Sequence, residues 1–167
     1  MSLLTRTGDD AAPGNYGLWD VHAALTWVNE NIASFAGDPN RVTVFGQSAG
    51  GALASHAVIS PRTAGLIQNA ISISGSSTGP FGTTDFQFRT AVSMADILNC
   101  KSINDTYDVV ACLRQFDGHA LDLAAAIGAT MENVTLAFSP VVDGDIVPYT
   151  PQECFRLGYG RSRLSPL

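Results

Sequence analysis

Gly46-Gln47-Ser48-Ala49-Gly50 is the stretch whose residue types and spacing suit nucleophilic chemistry. Arg41-Val42-Thr43-Val44-Phe45 runs into it, and Val42, Val44 and Phe45 are β-favouring and apolar, as a core strand requires. The residues from Ala49 to about Ser60 predict a helix. Strand, Gly-x-Ser-x-Gly turn and helix, in that order, hold a serine on a sharp bend with its hydroxyl pointing outward. Gly46 and Gly50 are expected to leave no side chain where strand and helix pass closest. Backbone N–H groups at a helix start lack intrahelical partners and favour negative charge. The Ala49 N–H is therefore suited to stabilising an oxyanion. The same letters also fit an ordinary strand-to-helix turn, but the elements on either side favour acyl transfer through Ser48.

A serine hydroxyl is a poor nucleophile until a base takes its proton. His56 lies eight residues along the same predicted helix, about 12 Å of axial rise from Ser48 and too far for direct contact. His22 is off the apolar stripe of the preceding helix, and His119 follows Gly118 at a predicted helix start. All three are read as surface or structural histidines. Asp143 and Asp145 belong to a predicted turn and receive no catalytic role. The sequence carries no phosphate-binding loop, metal-ligand cluster or Cys-x-x-Cys pair, so no cofactor is expected.

The elements that must position Ser48 follow from composition and periodicity. A chain of 167 residues suits one domain with one sizeable core. Charged residues make up 14% and hydrophobic residues 46%, so much of the chain must be buried. Net charge is −6 and Lys101 is the only lysine, which argues against a nucleic-acid partner or an anionic membrane surface. No apolar run is long enough to span a bilayer, and Met1 to Asp10 lacks the apolar stretch of a signal peptide. Ser2 to Gly14 reads as loop, with Asn15 as an N-cap. Leu18, Val21, Leu25, Val28 and Ile32 form an amphipathic stripe that ends at Ala36-Gly37-Asp38-Pro39.

Beyond the helix after Ser48, Ala70 to Ser74 predicts a second strand. Gly75 to Thr84 predicts a loop, and in open α/β sheets such loops surround the ligand crevice. Phe81 in that loop, with Gln47, is a candidate for lining a substrate pocket. Two helical stripes follow, Phe88/Ala91/Val92/Ala95/Leu98 and Val109/Leu113/Phe116, then a short helix over Ala120 to Ile127. Leu136 to Phe138 and Val141-Val142 read as extended, with a hairpin turn at Asp143-Gly144. Gly158 to Leu167 shows no periodicity and reads as an unstructured end. This organisation gives an elbow core over 14–80, a helical region over 85–130 and a strand and turn region over 136–150. The class is α/β, with a mostly parallel sheet and flanking helices.

The motifs also occur as a set. Gly14-Asn15-Tyr16-Gly17-Leu18-Trp19-Asp20, Ala24-Leu25-Thr26-Trp27-Val28, Asn31-Ile32, Gly37-Asp38-Pro39 and Val42 through Gly51 follow one another at set spacings. Ser60-Pro61, Gly65-Leu66-Ile67, Ala70-Ile71, Ser74-Gly75 and Pro140-Val141-Val142-Asp143-Gly144 continue the pattern. Together they resemble the type-B carboxylesterase and lipase family, the group of carboxylesterases, cholinesterases and bile-salt-activated lipase. The resemblance implies a partial α/β-hydrolase fold with strands missing at both ends. It also implies hydrolysis of a small-molecule or lipid carboxylic ester through an acyl-enzyme. Ser48 matches the nucleophile and Ala49 the residue whose N–H completes the oxyanion hole.

Departures from the family pattern are small. Val21 stands where a glutamine usually follows the aspartate, Ala36 replaces a glycine, and Gln47 stands where many members carry glutamate. The resemblance further implies a middle portion of a longer catalytic domain, without independent catalysis. The remaining oxyanion donors would lie before Met1, the acidic triad member beyond Leu167 and the histidine further still. Neuroligin-like relatives, used for adhesion, typically lose the nucleophile, and Ser48 is retained here.

Cys100 and Cys112 match cysteines that form a disulfide in similar proteins, and closing such a loop stabilises by roughly 3 kcal/mol. Two buried thiols remain the alternative, and Cys154 is left over. Asn104-Asp105-Thr106 and Asn133-Val134-Thr135 fit the glycosylation pattern. With the cysteine pattern they favour a secreted or secretory-pathway parent.

Overall fold

A computed structural model describes residues 7, 9–79, 82–83, 87–100, 105–131, 133 and 138–160. The chain divides into two compact units. One, the elbow unit, comprises Gly17–Thr83 and Val142–Leu167; the other, the helical unit, comprises Met1–Tyr16 and Thr84–Val141.

The elbow unit is a β-α-β arrangement. Helix α1 (Tyr16–Asn31) leads through a 3-10 turn (Ile32–Phe35) to strand β1 (Thr43–Gln47), helix α2 (Ala49–Ile59) and strand β2 (Asn69–Ile73). The strands pair in parallel, with Thr43 opposite Asn69, Phe45 opposite Ile71 and Gln47 opposite Ile73. Leu18 and Leu25 of the predicted stripe are buried, whereas Ile32 falls in the 3-10 turn. That turn closes on Ala36, which holds a left-handed φ of 63°, and Gly37 N–H donates to the Ile32 carbonyl. Ala36 thus occupies the backbone shape for which the family pattern carries glycine.

Phe45 does not join the core as its apolar character suggested: it is 74% exposed. Side chains alternate along a strand. Phe45, Ile71 and Ile73 share one face, and all three are exposed. Val42 and Val44 instead pack with Val21 and Val58 around Leu25, Ala57 and Ile67. A second cluster gathers Leu18, Ile146 and Val147 with Trp19, Leu53 and Val142.

The hairpin expected near Asp143 is present only as its turn. Asp143 Oδ1 accepts from the Asp145 and Val147 N–H groups, and Asp143 N–H donates back to the Val147 carbonyl. An aspartate that bonds its own backbone forms a local turn and supplies no strand ladder. Helix α6 (Pro151–Arg156), absent from the periodicity reading, follows. Its start is Thr150, whose hydroxyl accepts from Glu153 N–H, with Pro151 in the first turn.

The helical unit holds α3 (Gln87–Ile97), α4 (Thr106–Leu113) and α5 (Gly118–Met131). Asp105 and Asp117 accept from the N–H groups of Asp108 and Ala120 at the starts of α4 and α5. Helix α5 runs beyond the expected Ala120–Ile127 in both directions. Met94, Ala95, Val109, Val110, Leu113, Leu121, Ala124 and Ala125 form the core with Ala11 and Ala12. Gly128 lets α5 approach α3, since a Cβ there would stand 3.2 Å from that of Ser93. A disulfide joins Cys100, just beyond α3, to Cys112 in the last turn of α4, with Cα atoms 6.1 Å apart. Asn15 sits at a φ of 55°, outside the extended range of an N-cap. Its amide donates to the Val141 carbonyl and accepts from the Val141 N–H.

Candidate nucleophile site at the strand-to-helix turn

Ser48 stands between β1 and α2 with φ 53° and ψ −119°, a conformation outside the ordinary regions for a side-chain-bearing residue. Holding it costs on the order of 1–3 kcal/mol and requires that the surroundings over-determine it. They do so through the backbone. Ser48 N–H donates to the Ile73 carbonyl at 2.8 Å, continuing the parallel ladder past the end of β1. The Ser48 carbonyl accepts from Ala52 N–H at 3.1 Å and starts α2. The hydroxyl does not cap the helix, and Ser48 is exposed. Among the described residues no group hydrogen-bonds to it.

Glycines make this bend possible, though not the pair expected. A Cβ at Gly46 would lie 2.2 Å from the Gly50 carbonyl oxygen, so Gly46 is indispensable. Gly50 itself has open space where a Cβ would go. The close approaches fall on Gly51, within 3.1–3.2 Å of the Gly46, Ile73 and Gly75 carbonyls, and on Gly75. A Cβ at Gly75 would stand 1.9 Å from the Ser48 carbonyl oxygen. Gly75 stands in the sequence only as part of the Ser74-Gly75 motif, with no steric role assigned to it. Its signal is a glycine directly after the predicted Ala70–Ser74 strand, and Ser74 itself takes a positive φ of 52°.

Ala49 is exposed at the first position of α2, where its N–H has no preceding turn to bond. Gln47, also exposed, ends β1 opposite Ile73. Phe81 lies outside the described residues. Two cavities of the elbow unit lie elsewhere. One of about 290 Å³ is lined by residues of the α2 C-terminal turn and the Leu157–Gly160 turn. Another of about 550 Å³ borders the Arg62–Asp145 ion pair, Tyr149 and Tyr159.

None of the three histidines bonds to Ser48 among the described residues. His22 stacks edge-on against Trp19 at 5.7 Å. His119 is exposed in the first turn of α5. His56 is buried, with Nε2 2.6 Å from the Gly82 carbonyl and Nδ1 without a partner among the described residues. Burial lowers its proton affinity, and the bond to Gly82 raises it by less. Asp145 is held below the usual carboxylate range by its bond to Arg62. Cys154 is a buried free thiol whose Sγ faces the Tyr149 carbonyl at 3.6 Å, and burial pushes its pKa up. Asn133 is exposed just past α5, and Asn104 lies outside the described residues. Among the described residues no helix is long and apolar enough to cross a membrane.

The βαβ unit thus turns on Ser48 at a positive φ, with Ala49 at the first position of α2. Residues 4–164 match the family model described as "Carboxylesterase family", and the chain belongs to that family. It is 43% identical to bile salt-activated lipase of Bos taurus over 149 residues, which cover 87% of this chain and 25% of that protein. It is 43% identical to carboxylesterase 3 of Homo sapiens over 150 residues, 90% of this chain and 25% of that protein. Identity to neuroligin-3 of Mus musculus is 42% over 149 residues, 87% of this chain and 17% of that protein. The chain thus spans a quarter or less of the length of these curated relatives.

Proposed function

We propose that Ser48 is the nucleophile of a serine carboxylic-ester hydrolase. In this reading its Oγ attacks the carbonyl carbon of a small-molecule or lipid ester while a base removes the hydroxyl proton. The carbonyl oxygen becomes an oxyanion and takes a hydrogen bond from the Ala49 N–H. Collapse expels the alcohol, which receives the proton, and leaves an acyl-Ser48. Water then repeats the sequence and releases the carboxylic acid. The observation that carries the reading is the backbone of Ser48: an exposed, uncapped hydroxyl at φ 53°, held by glycine contacts that tolerate no side chain.

None of His22, His56 and His119 is assigned as the base. The chain is read as the central portion of one catalytic domain, divided into 14–80, 85–130 and 136–150. The family match over residues 4–164, with coverage of 25% of the lipase, supports that reading. Gln47 and Phe81 are assigned to the pocket on sequence grounds. The Cys100–Cys112 disulfide favours an oxidising compartment, hence a secreted or secretory-lumen protein. Exposed Asn133 suits a glycan, and Asn104 is its sequence counterpart.

A non-catalytic, adhesion-type role is the second reading, because identity to neuroligin-3 is nearly as high as to the lipase. Retention of Ser48 favours the enzyme. The two are separated by offering a fluorophosphonate to the intact protein and locating the adduct by mass spectrometry. Modification of Ser48, lost in Ser48→Ala, is the expected outcome; an unmodified Ser48 overturns the enzymatic reading.

A further inference from the structure

His56 takes no part in the chemistry proposed for Ser48, yet it is 1% exposed in the last turn of α2. The Gly82 carbonyl can only accept, so Nε2 carries the proton of the bond between them. Nδ1 is then a buried acceptor without a partner among the described residues. An aliphatic side chain would fill the same space with no orphan atom, so the Nε2 bond is the physical reason for an imidazole here.

The neighbouring residue does related work. Ser55 Oγ lies 2.8 Å from Ser77 Oγ, and Ser77 is itself 1% exposed. Two consecutive residues of α2 therefore hold the segment that follows β2, described from Ser74 to Thr83 except for Pro80 and Phe81. That segment folds on itself: Gly79 N–H donates to the Ser76 carbonyl and Gly82 N–H to the Gly79 carbonyl. A Cβ at Gly82 would stand 2.0 Å from the Ser77 carbonyl oxygen. At its near end the segment lays Gly75 against the Ser48 carbonyl.

We propose that Ser55 and His56 are positioning residues that clasp residues 74–79 and 82–83 to α2 and, through Gly75, fix the backbone pose of Ser48. The clasp closes a mechanical loop. Helix α2 follows Ser48 as its N-cap, reaches the segment through Ser55 and His56 toward its C-terminal end, and the segment returns to Ser48. The catalytic consequence rests on the reading of Ser48 as nucleophile, while the clasp itself can be tested apart from it.

The test compares wild-type, His56→Leu, His56→Gln and Ser55→Ala forms of the intact protein. It measures the fluorophosphonate labelling rate at Ser48 per folded molecule and amide hydrogen exchange over residues 74–79. His56→Leu should slow labelling by roughly ten- to a hundredfold, as expected of a small misplacement of the reacting atom, and speed exchange. His56→Gln, whose amide N–H reaches the same carbonyl, should restore both. Wild-type labelling and exchange in His56→Leu, or lower thermal stability with labelling per folded molecule unchanged, overturns the proposal. A glutamine variant that behaves like leucine does the same. If His56→Leu does not fold, Ser55→Ala carries the comparison, with a smaller slowing expected and none overturning. If wild-type protein is not labelled at all, the nucleophile reading fails by itself. Exchange then decides the clasp: faster over 74–79 in the variants supports it, and unchanged overturns it.

Discussion

Around Ser48 the backbone is the packing material, whereas in the helical unit side chains are. The elbow is fixed by carbonyl-to-glycine approaches at Gly46, Gly51 and Gly75 and by positive φ at Ser48 and Ser74. The helical unit is fixed by methyl-bearing contacts among Met94, Ala95, Leu113 and Leu121, plus one covalent cross-link. Main-chain atoms cannot rotate out of a clash, so the first kind of packing fails abruptly. Side-chain packing relaxes in part, so the second fails by degrees.

The sharpest way to break the contrast is Gly75→Ala. With a methyl 1.9 Å from a main-chain oxygen, we expect a loss of about 3 kcal/mol or more and loss of Ser48 labelling, read by a denaturant melt and mass spectrometry. Next is opening of the disulfide by replacing Cys100 and Cys112 with serine. About 3 kcal/mol should be lost, and hydrogen exchange should quicken in α3 and α4. Two substitutions should stabilise the elbow unit. Ala36→Gly relieves a left-handed alanine, and Gly50→Ala fills open space within a helix. Each is worth about 0.5–1 kcal/mol in thermal melts.

The smallest effect is a pH dependence from His56. Its folded pKa is lowered, chiefly by burial. Its contribution to stability is fully present above the unfolded value of 6.5 and is lost as pH falls through the lowered folded value. Melts of wild-type protein should therefore weaken on acidification below about 6.5, and His56→Leu should flatten that slope.

These same features mark what could be read in the sequence. The α3 and α4 stripes followed from periodicity, and Ala91, Ala95, Val109 and Leu113 are buried; the second strand followed from alternation although Ile71 and Ile73 are exposed, and α2 followed from its place after the Gly-x-Ser-x-Gly turn. Phe45 misled, because an apolar letter in a strand says nothing about which of its two faces is covered. The spacing of Ser48 pointed to the bend, but only coordinates show that Gly75 and Gly51, rather than Gly50, make room for it. Helix α6 is too short for a periodic signal, and its Thr150-Pro151-Gln152-Glu153 start is the local clue that periodicity passes over. The Asp143 turn defeated the hairpin expectation because one carboxylate oxygen satisfied the amides a second strand would have bonded. His56 gave no signal, since its partner is a main-chain carbonyl, and any residue type supplies one.

Cys154 offers a stopwatch for such experiments. With the other two cysteines locked to each other, it is the sole sulfhydryl, sealed beneath the Tyr149 carbonyl at the end of the elbow unit. An alkylating reagent can reach it only when that region breathes. The rate at which the chain gains one adduct therefore clocks the opening of the elbow unit, independently of the cross-linked helices.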